Sequence, residues 1–85
     1  MRVLIVEDDP MTSRSLEMSL RAEGMVVDAT GLGEDGLEIG KLYEYDIILL
    51  DLVLPDMDGY EVLRRLRASR ITTATLRAAL PGWSE

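Results

Sequence analysis

From Met1 the chain runs straight into Arg2-Val3-Leu4-Ile5-Val6, a short aliphatic, β-branched stretch that halts at Glu7-Asp8-Asp9-Pro10. A continuous apolar run of this length, bounded by charge and proline, predicts a strand buried on both faces. Asp9-Pro10 then reads as a helix start, a capping carboxylate followed by proline in the first turn. Met11, Leu16 and Leu20 recur at helical spacing toward Glu23, with Met11, Ser15, Met18 and Arg21 as the alternative stripe, and Gly24 ends the helix. Met25 to Thr30 alternates more and predicts a strand nearer a sheet edge. A second helix is expected from about Glu34 to Tyr43, with Leu37 and Ile39 toward the core and glycines weakening it. Ile47-Ile48-Leu49-Leu50, held between Asp46 and Asp51, is the strongest strand signal. Leu52 to Asp58 is a loop around Pro55. Gly59 leads a third helix through Ala68, with Val62, Leu63 and Leu66 on one face.

The order βαβαβα implies an α/β fold: a parallel sheet with right-handed crossovers and helices on both faces. Beyond about residue 70 neither period is clean. Ile71 to Leu76 fits a fourth strand, Thr75 to Leu80 fits a helical turn, and Pro81-Gly82 breaks either, with Trp83 close behind. The pattern therefore divides into residues 1–73, one domain, and a divergent tail at 74–85.

Composition narrows the chemistry. The net charge is −7, from 16 acidic and 9 basic residues. Such a surface repels nucleic acid and anionic membrane and favours cations and basic partner faces. Cysteine and histidine are both absent, which removes disulfides, thiolate chemistry, imidazole metal ligation and phosphohistidine carriage on this chain. With neither a basic leader nor a run of about 18 apolar residues, the expected compartment is the cytoplasm.

In an open parallel sheet, ligands gather at the carboxyl ends of the strands, where strand order reverses. Glu7 and Asp8 follow the first strand and Asp51 ends the third. If those strands are neighbours, three carboxylates meet. Crowded carboxylates repel one another and call for a proton or a cation, and an all-oxygen set selects a hard ion, Mg²⁺ in the first place. An aspartate beside such an ion suits nucleophilic attack on phosphorus. Blander readings stand beside this one. Glu7-Asp8-Asp9 also suits helix capping, and Asp51 suits a turn. Asp56-Met57-Asp58-Gly59 resembles part of a calcium loop, but Leu54 and Arg65 would occupy its end-ligand positions. Tyr43, Tyr45 and Tyr60 are too few to form a nucleic-acid platform. Arg64, Arg65, Arg67 and Arg70 suit a solvated face with favourable charge at a helix carboxyl end.

Taken together, Glu7-Asp8-Asp9 after an apolar strand, a gap of about 43 residues, and Asp51-Leu52-Val53-Leu54-Pro55-Asp56-Met57-Asp58-Gly59 resemble the response-regulator receiver family of two-component systems. Gly40 to Asp51 and Gly59 to Arg64 resemble more closely the CtrA group of alphaproteobacterial cell-cycle regulators. The resemblance covers residues 1 to about 73 and implies a flavodoxin-like receiver fold. It implies Asp51 as phosphoacceptor, Asp8 as a direct Mg²⁺ ligand, Glu7 as a ligand through water, and the backbone carbonyl of Val53 as a third protein contact. Pro55 and Gly59 would shape the loop. The phosphodonor implied is a histidine kinase or histidine phosphotransferase, docking near Met11 to Glu23. A receiver is a signalling module and not an enzyme in its own right, and no direct nucleic-acid or membrane contact is expected of it.

The chain also departs from the family. Receivers have five βα units, and here the pattern covers three and part of a fourth, as in a truncated receiver. The family's Ser or Thr after the fourth strand falls near Ala79, preceded by Arg77, while Thr72, Thr73 and Thr75 come too early. The family's lysine after the fifth strand has no counterpart, because Lys41, the chain's single lysine, lies in or near the second helix. An open apolar edge at the third or fourth strand invites self-association. The loss of pattern from about Ala74 reads as a displaced reading of a receiver sequence. Beside the phosphoacceptor reading stand two others, a phosphorylation-incompetent binding decoy and a non-functional remnant.

Overall fold

The computed structural model describes residues 1–68 and the short strand at Ala74–Leu76. Its elements are β1 (Arg2–Val6), α1 (Pro10–Ala22), β2 (Val26–Thr30), α2 (Gly33–Leu42), β3 (Ile47–Leu50), α3 (Gly59–Ala68) and β4 (Ala74–Leu76). All strands are parallel, in the order β2-β1-β3-β4. The expected α/β fold is therefore present, with β1 and β3 as neighbours. The fourth strand occupies the second half of Ile71–Leu76, starting at the 73/74 boundary, so Thr75 and Leu76 are extended and not helical. The readings placed on 69–73 and 77–85, including Arg77, Ala79 and Trp83, lie outside the described residues.

The aliphatic runs explain the layering. Side chains alternate across a strand, so Leu4 and Val6 of β1 join Ile48 and Leu50 of β3 on one face. There they pack against Leu37 of α2 and Val62 and Leu66 of α3. Val3 and Ile5 point the other way and meet Val27, with Leu16 and Leu20 of α1 closing over them. Register fixes both faces: Val3 pairs with Val27 and Ile47, and Val6 with Thr30 and Leu50. Among the described residues β2 and β4 are the outer strands, and β2 leaves Val26 exposed.

Helix α1 begins as expected. The Asp9 carboxylate accepts from the Thr12 amide at 3.3 Å and the Thr12 hydroxyl at 2.5 Å, with Pro10 in the first turn. Gly24, at φ +83°, takes the left-handed conformation that glycine adopts without steric cost. Met11 is the exception, for it is 81% exposed, and the stripe that packs is Leu16 and Leu20.

Helix α2 starts one residue before the expected position, and its glycines prove to be contact points. A Cβ on Gly36 would lie 2.9 Å from Val6 Cγ2, and one on Gly40 would lie 3.1 Å from Leu66 Cδ2. Reading these glycines as weak points misses that they let α2 sit directly on β1 and α3. Among the described residues no helix is long and apolar enough to cross a membrane.

The amino-terminal pole of the sheet is tied by Arg2. Its guanidinium bonds the Asp28 carboxylate at 3.1 and 3.2 Å, and the Tyr45 hydroxyl donates to the same oxygen at 2.5 Å. The guanidinium carbon also lies 4.3 Å from the centre of the Tyr43 ring. The tyrosine hydrogen bond and the arginine hold Asp28 below the usual carboxylate range. Burial and the Asp28 carboxylate push the Tyr45 hydroxyl up. These tyrosines thus clamp β1, β2 and the start of β3.

Candidate phosphoacceptor and metal site

Because β1 and β3 are adjacent and in register at Val6 and Leu50, the residues just beyond them emerge side by side. The Asp51 amide donates to the Val6 carbonyl at 2.9 Å, and the Glu7 amide to the Thr30 carbonyl at 3.0 Å. Ordinary strand pairing thus carries Glu7, Asp8 and Asp51 to one point. One carboxylate oxygen from each lies within 4.8 Å of the others. This is the one acidic group among the described residues close enough to share a metal ion.

The three carboxylates differ in environment. Glu7 is 5% exposed, the one buried charged residue described. Its Oε1 accepts from the Asp9 amide at 2.9 Å, while Oε2 is buried without a hydrogen-bond partner. Burial pushes the Glu7 carboxyl up to about 7, against the pull of the Asp9 amide and with the negative charges of Asp51 and Asp8 adding to the rise. Asp51 is half-buried and Asp8 exposed. Asp51 Oδ1 accepts from the Val53 amide at 2.9 Å, which leaves Oδ2 without that bond. The capping alternative is thereby resolved residue by residue. Asp9 is the cap, held below the usual carboxylate range chiefly by Thr12, and neither Glu7 nor Asp8 caps the helix.

The loop after Asp51 is shaped by glycine and two further caps. A Cβ on Gly59 would lie 2.4 Å from Leu52 Cα and 2.5 Å from the Asp51 carbonyl oxygen. The Gly59 amide donates to the Leu52 carbonyl at 3.1 Å, and Val53 bridges Asp58. Asp58 accepts from the Tyr60 amide at 3.0 Å at the start of α3. Asp56 reaches back to α2, accepting from the Gly33 amide at 2.7 Å and the Glu34 amide at 3.0 Å. Both acids of the calcium-loop resemblance are therefore engaged in capping. The Val53 side chain is 79% exposed, so the backbone is what Val53 can offer a ligand. Lys41 is in the last turn of α2, at the pole opposite Asp51, since α2 runs back along the sheet.

These residues fit Mg²⁺. The donors are all oxygen, they carry up to three negative charges, and a buried carboxylate oxygen lacks any partner. Beside them a groove of about 340 Å³ runs between the first half of α1 and the end of β2. It is lined by Glu7, Asp8, Ser13, Arg14, Glu17 and Thr30, among others.

Comparison with known proteins agrees with this geometry. The family described as response regulator receiver domain matches residues 3–79. The cell cycle response regulator CtrA of Brucella ovis is 58% identical over 76 residues, covering 89% of this chain and 33% of that protein. The chain thus spans about a third of the length of that curated relative. A CheY-like receiver domain protein from Methanospirillum hungatei superposes with a TM-score of 0.86 at 30% identity, over 89% of this chain and 61% of that one. The receiver domain of a sensor histidine kinase from Pseudomonas aeruginosa, solved with a magnesium ion in its active-site cleft, gives 0.79 at 32% identity, over 95% of this chain and 70% of that one.

Proposed function

Because the chain belongs to the response regulator receiver family, we propose that Asp51 accepts a phosphoryl group, with Mg²⁺ held by Asp8, Asp51, the Val53 carbonyl and, through water, Glu7. The observation that carries this reading is the meeting of Glu7, Asp8 and Asp51 within 4.8 Å at the ends of adjacent strands. The donor is the phosphohistidine of a histidine kinase or histidine phosphotransferase. Asp51 Oδ2 attacks phosphorus, the phosphorus–nitrogen bond breaks, and its electron pair leaves with the donor imidazole. The product is an acyl phosphate on Asp51. A bound Mg²⁺ offsets charge on the phosphoryl oxygens. The Val53 amide orients the carboxylate through Oδ1. Glu7 must give up its proton for the site to carry its full charge. The groove along α1 supports docking of the donor beside the acids.

A second reading, a binding decoy without phosphorylation, is supported by the groove along α1, which can receive a donor without any phosphoryl transfer. Asp51→Ala separates the two. The full chain is incubated with a phosphorylated histidine phosphotransferase and Mg²⁺, and transfer and binding are read together. On the first reading the wild type takes up one phosphoryl group and the variant none. A wild type that binds the donor but stays unmodified, with binding unchanged in the variant, favours the decoy.

A further inference from the structure

The carboxylate of Asp56 bonds two amides more than twenty residues earlier in the chain, at Gly33 and Glu34. These are orphan donors of the first turn of α2. The helix's own cap position is Leu32, which has no side chain to offer them. Helix α2 is therefore capped from outside, by the loop that follows Asp51. The two amides hold Asp56 below the usual carboxylate range, so the cap is charged at neutral pH. Beside it Met57 packs on Gly33, where a Cβ would lie 2.4 Å from Met57 Cγ. Among the described residues, the loop's other hydrogen bonds close on Asp51, on the loop itself or on the start of α3. Asp56 is thus the polar tether between the loop after Asp51 and α2.

The geometry points to Asp56 as a positioning residue that couples the cation site at Asp51 to the amino end of α2. The coupling rests on the Mg²⁺ reading above. It acts through backbone: a bound cation that draws on Asp51 and the Val53 carbonyl fixes the loop, and the loop fixes the cap. Coupling of this kind is reciprocal. Loosening the cap must weaken the cation, and binding the cation must be felt at Gly33 and Glu34.

The test is a Mg²⁺ titration of the wild-type chain, Asp56→Ala and Asp56→Asn, followed by amide NMR. The two amides use both oxygens of Asp56, so asparagine keeps one of the two bonds and alanine neither, and a lost cap is typically worth about fivefold in an equilibrium constant. The expected results are weaker Mg²⁺ binding in Asp56→Ala by about that factor, a smaller loss in Asp56→Asn, and Mg²⁺-dependent shifts at Gly33 and Glu34 that vanish in Asp56→Ala. A purely structural cap would lower stability but leave the Mg²⁺ affinity of the folded chain alone, and that result overturns the inference. Equal weakening in both variants, with the Mg²⁺-dependent shifts at Gly33 and Glu34 retained, also overturns it, because the effect would then be the lost charge. A wild type that binds no Mg²⁺ removes the cation reading itself, before any variant is compared.

Discussion

Replacing Glu7 by glutamine should make the cation-free chain more stable at pH 8 while leaving it almost unchanged at pH 4. Glu7 is almost fully buried, one oxygen has no partner, and its carboxyl is pushed from the usual 4.5 to about 7. The folded state therefore holds this proton more tightly than the unfolded state does. The resulting stability is fully present below pH 4.5 and is lost as pH rises through 7. A shift of that size corresponds to roughly 3 kcal/mol once Glu7 is ionised in the folded chain. That is a large share of the roughly 4–13 kcal/mol that holds a chain this short together. Glutamine keeps an oxygen for the Asp9 amide and offers an N–H toward Asp51, with no charge to bury. Urea unfolding of both proteins from pH 4 to pH 8, without divalent cations, reads the difference directly. The two stabilities should converge at low pH and separate by about 2–3 kcal/mol at pH 8 in favour of Glu7→Gln. Saturating Mg²⁺ should close or reverse that gap, since it stabilises the ionised wild type. A difference independent of pH, or a variant less stable at pH 8, would refute the reasoning.

Other consequences lie in the supporting structure. Tyr45→Phe removes the hydroxyl that donates to Asp28 at 2.5 Å and should cost about 1–3 kcal/mol in urea unfolding, while Mg²⁺ affinity at the opposite pole stays unchanged. Gly59→Ala drives a Cβ into backbone at Leu52 and Asp51. It should destabilise by at least about 1–3 kcal/mol and weaken Mg²⁺ binding together with stability, because the clash lies on the segment that carries the acceptor.

Much of this arrangement was legible in the sequence because it depends on local signals. The aliphatic run of Ile47 to Leu50 between two aspartates marks a doubly buried strand, and Asp9-Pro10 marks a helix start whatever surrounds them. The acid cluster needed one further step, the adjacency of β1 and β3, which a parallel βαβ order favours. What escaped depends on contacts between distant segments. No spacing rule connects Asp56 with Gly33 across more than twenty residues, or brings Arg2, Asp28 and Tyr45 together from three separate segments. Both stripes offered for α1 shared Met11, and which residues pack, Leu16 and Leu20 or Ser15 and Met18, turned on which of them reach the sheet. The glycines of α2 misled for a related reason: propensity treats them as costs, whereas their value lies in the closeness of Val6 and Leu66.

The central claim is that Glu7, Asp8 and Asp51 act as one divalent-cation site on a folded chain. An amide NMR correlation spectrum of the 85-residue protein, recorded with increasing Mg²⁺, tests it most directly. The account predicts dispersed signals, with saturable shifts concentrated at Glu7, Asp8, Asp51 and Val53. Collapsed signals, or dispersed signals that Mg²⁺ leaves in place at those four residues, would contradict it.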